Sequence, residues 1–251
     1  IDLSQFDCVY SPQMPIDVNK YPNTKFIFGP HFSVFPEKQQ MDLIRRDNVT
    51  YVQPSTWVVD LWKSFPICNN IKIKPLPFGV DTNKFNNIKP ITERNNVIIY
   101  FKHRNPTDLV LIENYMKSKS INYIVFSYDI KYNENDYINC LQDAKFCVCV
   151  DAHESQGFAL EEALSCDVPL LVWNVTSLNQ EHNSKYPNTY ATTIPYWDER
   201  CGEFFYNIKA LDIVFNLFIS RLETYKPREY ILENLSMEKC DEKLINIINS
   251  I

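Results

Sequence analysis

Phe146-Cys-Val-Cys-Val150, then Glu154-Ser-Gln-Gly-Phe-Ala-Leu-Glu-Glu162-Ala-Leu, then Val168-Pro-Leu-Leu-Val-Trp173: two short apolar runs enclose an acidic residue, a glycine and a helix-forming segment. Such runs read as strands buried on both faces, and the stretch between them as a turn leading into a helix. In an open parallel sheet the carboxyl end of a strand opens onto the ligand crevice, and the helix that follows aims its unpaired N–H groups there. An ionised carboxylate at that place only accepts hydrogen bonds, and a sugar hydroxyl can donate them. The helix dipole adds a seat for phosphate. The turn therefore predicts a ligand carrying both sugar and phosphate, as a nucleotide-sugar does.

Outward from this turn, strand-like and helix-like runs alternate, the pattern of an α/β protein with parallel sheets. Towards the N-terminus the reading gives strands at 6–10, 25–28 and 50–52, and helices at 36–46 and 56–65. The polar stretch from Thr82 to Asn96, rich in Asn and Lys and holding Pro90, is the linker candidate. After it come strands at 97–102, 123–126, 146–150 and 170–173, with helices at 108–117, 134–144 and 157–166, and a fifth strand is expected at 189–194. Apolar spacing makes 208–223 and 237–251 helical. These elements give two Rossmann-like units, 1–88 and 89–251, with the C-terminal helices in the second and a ligand cleft between the two. One continuous domain is the alternative.

Composition narrows the function classes. The chain has 251 residues, 45% of them apolar, enough for a buried core, and a net charge of -6 that lacks the basic footprint of a nucleic-acid binder. No apolar run approaches the roughly 20 residues of a membrane-spanning helix, and no basic-then-apolar leader opens the chain. It begins with Ile1 rather than Met, which reads as a processed form or an excised domain. The eight cysteines have no zinc-like pairing, and Cys147 and Cys149 alternate with apolar residues as small buried hydrophobes. That usage predicts a reducing, cytoplasmic compartment. Three sequons, at Asn48, Asn174 and Asn234, point weakly the other way.

Glu154, Gly157, Phe158 and Glu162, followed by Ala163 and the strand at Val168, resemble the signature of the donor domain in retaining GT-B glycosyltransferases of the family-4-like group. Upstream, Pro77-Phe-Gly-Val-Asp-Thr-Asn-Lys-Phe85 and Gln53-Pro-Ser-Thr-Trp57 resemble the segments that lead into that domain. The likeness spans most of residues 24 to 175. It implies transfer of a sugar from a nucleotide-diphospho-sugar to a glycan or other hydroxyl acceptor, with retention and with no metal or other cofactor.

By the resemblance, Glu154 accepts bonds from donor sugar hydroxyls, N–H groups around Gly157 and Phe158 face the sugar or the diphosphate, and Glu162 holds the ribose. Glu161 is read as an exposed helix carboxylate. Lys102 and Arg104 take the place of a cationic pair that stabilises the departing nucleoside diphosphate, with solvated cations as the alternative. His31 either faces the donor sugar from the first domain or is a buried, hydrogen-bonded histidine. Tyr128 either contacts the nucleobase or caps the sheet. His103, His153 and His182 are read as structural, and the segment from Trp197 to Glu203 receives no role.

The first domain is shorter than is usual for the group and lacks its glycine-rich opening turn, which implies that an adjoining domain of a larger polypeptide supplies acceptor recognition. Two glutamates also suggest a glycosidase, yet eight residues of helix span about 12 Å, beyond the roughly 5 to 9.5 Å that hydrolysis needs. Asp151-Ala-His153 offers a metal motif of a GT-A transferase as a further alternative. A non-catalytic nucleotide-sugar-binding domain remains a third.

Overall fold

Each apolar run becomes a strand that is joined to the next by a crossover, the connection that yields parallel sheets. The computed structural model describes residues 1–13, 15–30, 35–36 and 41–251. Two units emerge: Ile1–Gly79 together with Glu238–Ile251, and Val80–Met237.

In the first unit β1 (Cys8–Ser11), β2 (Lys25–Phe28), β3 (Val49–Gln53) and β4 (Ile73–Pro75) form a four-stranded parallel sheet in that order. Helix α1 (Met41–Ile44) falls inside the helix expected at 36–46, of which residues 37–40 lie outside the described residues. Helix α2 (Thr56–Lys63) buries Trp57, Val58, Val59, Leu61 and Trp62. Trp62 stacks on Tyr51 of β3, ring centroids 4.7 Å apart. Ile27, Val52 and Leu76 pack with Ile247 of the C-terminal helix (Met237–Asn249).

The second unit holds β5 (Asn96–Lys102), β6 (Ile124–Ser127), β7 (Ala144–Asp151), β8 (Leu170–Trp173) and β9 (Gly202–Phe205), a parallel sheet in the order β6-β5-β7-β8-β9. Its helices are α3 (Pro106–Ser118), α4 (Glu134–Gln142), α5 (Phe158–Ser165), α6 (Leu211–Ser220) and α7 (Pro227–Asn234). Strand residues alternate between faces. Val97, Ile99 and Phe101 of β5 and Phe146, Val148 and Val150 of β7 therefore share one core with α3 and α6. Tyr100 and Lys102 point to the other face, where Tyr100 pairs in register with Cys149 and Lys102 with Asp151.

Three expectations are corrected. The unit boundary lies at Gly79 rather than at 88, because the start of the supposed linker is fastened to the second unit. Val80 N–H donates to Leu235 O at 2.9 Å, and the Arg228 guanidinium donates to the carbonyls of Thr82, Phe85 and Ser165. The C-terminal helix belongs from Glu238 onwards to the first unit rather than to the second, since its apolar stripe meets the β2–β4 face. The fifth strand is Gly202–Phe205 rather than 189–194. Thr192 and Thr193 spend their hydroxyls on Asn174 and on the Ala152 carbonyl, which holds that segment as a loop. Gly202 lets β9 approach, as a Cβ there would sit 2.0 Å from Leu170 O.

Candidate functional site

In the second sheet the chain steps from β5 outward to β6 and then crosses back to β7 on β5's other side. The carboxyl ends of β5 and β7 thus flank the point where strand order reverses, the preferred ligand position in open α/β sheets. Lys102 ends β5 and Asp151 ends β7, side by side in register. Beyond Asp151 the chain turns sharply, with the Glu154 N–H donating to Thr192 O at 3.0 Å. Gly157 then caps α5 at φ 84°. A Cβ at Gly157 would have room, 3.5 Å from the nearest atom, so it is the left-handed backbone rather than space that calls for glycine here. The helix starts with no side-chain cap, which leaves the positive end of its dipole towards the sheet edge.

A cavity of about 500 Å³ opens at this place, within the range of small-molecule sites. Lys102, Tyr128, Glu154, Gly157, Phe158 and Glu162 all line it. The remaining wall comes from Tyr100, Tyr132, Tyr137, Glu134, Ser155, Gln156 and Ala159. Sequence reasoning missed these residues. Tyr100 sits in an apolar run that reads as core, and the tyrosines around β6 and α4 converge only once β6 is placed beside β5.

Lys102 Nζ forms a largely buried ion pair with Glu154 Oε1 and lies 4.9 Å from the Tyr128 ring centroid. Burial opposes the lysine's charge, but the Asp151 and Glu154 carboxylates outweigh it and hold its pKa above the ordinary value. Asp151 is wholly buried behind the pair. Burial, and then the neighbouring Glu154 charge, push its pKa well above the carboxylate range. Burial, and then Glu134, push Glu162 up to about 7. Glu134 is itself bridged to Lys84 at 2.9 Å.

Arg104 is a correction. It does not line the cavity. Its Nε donates to Asp108 Oδ2 at 3.0 Å, and Nη1 donates to Trp173 O at 3.1 Å and Asp151 O at 3.3 Å, with the guanidinium 4.8 Å from the Trp173 ring centroid. Asp108 stands four residues on, in the first turn of α3, and draws the guanidinium under the strand ends instead of into the open site. Glu161 is a second correction, for it is 2% exposed rather than a surface carboxylate. His31 lies outside the described residues.

Asp151 and His153 do not converge as a metal pair would. The Asp151 carboxyl is buried beside Glu154, whereas His153 Nδ1 faces Glu181 Oε2 at 3.4 Å, and burial pushes its pKa down to about 4. Among the described residues no group of three or more His, Cys, Asp or Glu side chains is arranged to hold a metal ion. The His103 ring stands edge-on to Tyr128 at 5.3 Å. In the segment from Trp197 to Glu203, Asp198 is bridged to Arg200 at 2.8 Å. Glu203 of β9 binds Arg221 at 2.7 Å.

No protein-family model matches the chain, and no curated protein matches its sequence. Solved structures do match. The chain is similar to TarM, with 18% identity, 91% of this chain and 51% of that one covered, and a TM-score of 0.55. It is similar to a glycosyltransferase from Rickettsia africae ESF-5, with 13% identity, coverage of 97% and 76%, and a TM-score of 0.65. It is also similar to the lipopolysaccharide outer core galactosyltransferase WaaB in its apo form, with 15% identity, coverage of 99% and 77%, and a TM-score of 0.59. The chain thus spans about half the length of TarM. On fold, it is a GT-B protein built of two Rossmann-like α/β units.

Proposed function

We propose that the chain is a glycosyltransferase of the retaining, family-4-like kind that takes a nucleotide-diphospho-sugar as donor. The observation that carries this reading is the meeting of the Lys102–Glu154 ion pair with the uncapped start of α5 at the strand-order reversal, all on one cavity wall. Glu154 accepts bonds from donor sugar hydroxyls, and Glu162 holds the ribose. The first turn of α5 at Gly157 and Phe158 seats the diphosphate, and Tyr128 contacts the base. Lys102 stabilises the charge that builds on the leaving group, while Arg104 fixes the strand ends rather than touching the donor.

In the proposed reaction the acceptor hydroxyl oxygen bonds to the anomeric carbon on the face from which the nucleoside diphosphate leaves. The carbon–oxygen bond to that phosphate breaks, and the hydroxyl proton passes to the departing phosphate oxygen. No metal takes part. Among the described residues no helix is long and apolar enough to cross a membrane. The free state of all eight thiols fits a reducing, cytoplasmic setting, which is part of this reading. A partner domain of a larger polypeptide supplies the acceptor side.

A second reading, a non-catalytic nucleotide-sugar-binding module, is favoured by one observation. With Arg104 engaged elsewhere, Lys102 is the one described cation on a wall that also carries Glu134, Glu154 and Glu162. Incubation with UDP-, GDP- and dTDP-sugars separates the readings. Slow release of nucleoside diphosphate, insensitive to a chelator, supports the transferase, and binding without release supports the module. Neither binding nor release of any donor contradicts both.

A further inference from the structure

Glu161 and Glu162 are neighbours in sequence but point to different sides of α5, as the roughly 100° step between successive helix residues requires. Glu162 lines the cavity. Glu161 is buried, and its Oε1 accepts a hydrogen bond from Gln156 Nε2 at 2.7 Å. Gln156 is 5% exposed and belongs to the turn between β7 and α5. It walls the ligand cavity on one side and, on the other, the apolar crevice where Glu161 meets Leu160, Leu164 and Ile194. The Tyr196 hydroxyl lies 3.5 Å from Gln156 Oε1.

A carboxylate set among leucine and isoleucine side chains is expensive unless it secures a hydrogen bond, and a leucine would fill that place on the helix without the penalty. The bond it secures ties the turn to the helix that follows. The Glu154 N–H bond to Thr192 O, the Lys102–Glu154 ion pair and the left-handed Gly157 also restrain the turn. Gln156 sits between Glu154 and Gly157, and its amide is anchored by Glu161.

We propose that Glu161 is a positioning residue. Through its hydrogen bond to Gln156 it holds the 154–157 turn so that the Glu154 carboxylate and the first turn of α5 keep facing the cavity. This inference rests on the donor reading above, because the wall it positions is the one assigned to sugar and diphosphate.

Hydrogen exchange in the ligand-free protein tests the positioning without any donor. The Glu154 and Leu160 amides donate to Thr192 O and Gly157 O and report the state of the turn. In Glu161→Leu, and likewise in Gln156→Leu should the first variant fail to fold, these two amides should exchange at least tenfold faster while β8 amides keep their protection. Glu161→Gln, which retains an acceptor oxygen, should restore slow exchange. Unchanged exchange at both amides overturns the proposal, as does equal acceleration in Glu161→Gln. UDP-glucose, GDP-mannose and dTDP-glucose are then titrated in parallel. A probe that binds the wild type should bind Glu161→Leu at least tenfold more weakly, and equal binding overturns the positioning role. A wild type that binds none of them contradicts the donor reading and leaves the exchange result to decide the role of Glu161.

Discussion

Lys102, the last residue of β5, and Glu154, three residues beyond the end of β7, form an ion pair whose side chains are 18% and 12% exposed. The pair joins two strands that are adjacent in the sheet but separated in sequence by β6, α3 and α4. Neither charge is well hydrated, and the buried Asp151 lies beside them.

Removing one member of such a pair leaves the other charge uncompensated, a loss of about 3 kcal/mol. Lys102→Met should therefore destabilise the second unit by about that amount in urea unfolding. Lys102→Met with Glu154→Gln should recover part of the loss, so that the coupling energy in the double-mutant cycle differs from zero. Strict additivity would show the pair to be incidental.

Glu162 makes stability depend on pH in a defined direction. Its native pKa of about 7 lies above the ordinary 4.5, so the folded state holds the proton more tightly than the unfolded state. The stabilisation from that proton is complete below pH 4.5 and is lost as pH rises to about 7. At about 1.4 kcal/mol per unit the loss is on the order of 3 kcal/mol. Glu162→Gln should therefore raise the melting temperature more at pH 8 than at pH 5. A difference independent of pH would contradict the burial of this carboxyl.

Arg104 supports the strand ends. Its donors reach the Trp173 and Asp151 carbonyls and Asp108 together, a fork that a lysine ammonium does not reproduce. Arg104→Lys should cost about 2 kcal/mol of stability, read in urea. It should weaken donor binding less than Lys102→Met does. The reverse order would return Arg104 to the cavity.

Ile247 tests the allegiance of the C-terminal helix. Truncation to Ala removes a buried side chain from the cluster with Ile27, Val52 and Leu76, a loss of about 3 kcal/mol. Hydrogen exchange should show β2 and β3 amides losing protection while those of β7 and β8 keep it.

Strand-forming residues made the architecture legible. The central stretches of β5, β7 and β8, Val97–Phe101, Phe146–Val150 and Leu170–Trp173, carry no charged residue, and burial on both faces of a parallel sheet demands that. The turn at 154–162 was legible for the same reason, because a glutamate and a glycine interrupt such runs only where the chain leaves the core. What the sequence left hidden depends on contacts distant in the chain. The stripe of Leu244, Ile247 and Ile248 does not state which sheet it covers. Thr189 to Ile194 has strand propensity, yet its hydroxyls find Asn174 and Ala152. Arg104 reads as a phosphate ligand until Asp108 is seen four residues on, and Tyr100 reads as core until its position beside the strand-order reversal is known.

The central claim is that the cavity at the ends of β5 and β7 holds a nucleotide-diphospho-sugar. Calorimetric titration of the wild type, Glu154→Ala and Glu162→Ala with UDP-, GDP- and dTDP-sugars tests it most directly. The expected result is saturable one-to-one binding of at least one donor by the wild type, weakened at least tenfold in both variants while each stays folded. No binding by the wild type, or equal affinity in all three proteins, would contradict it.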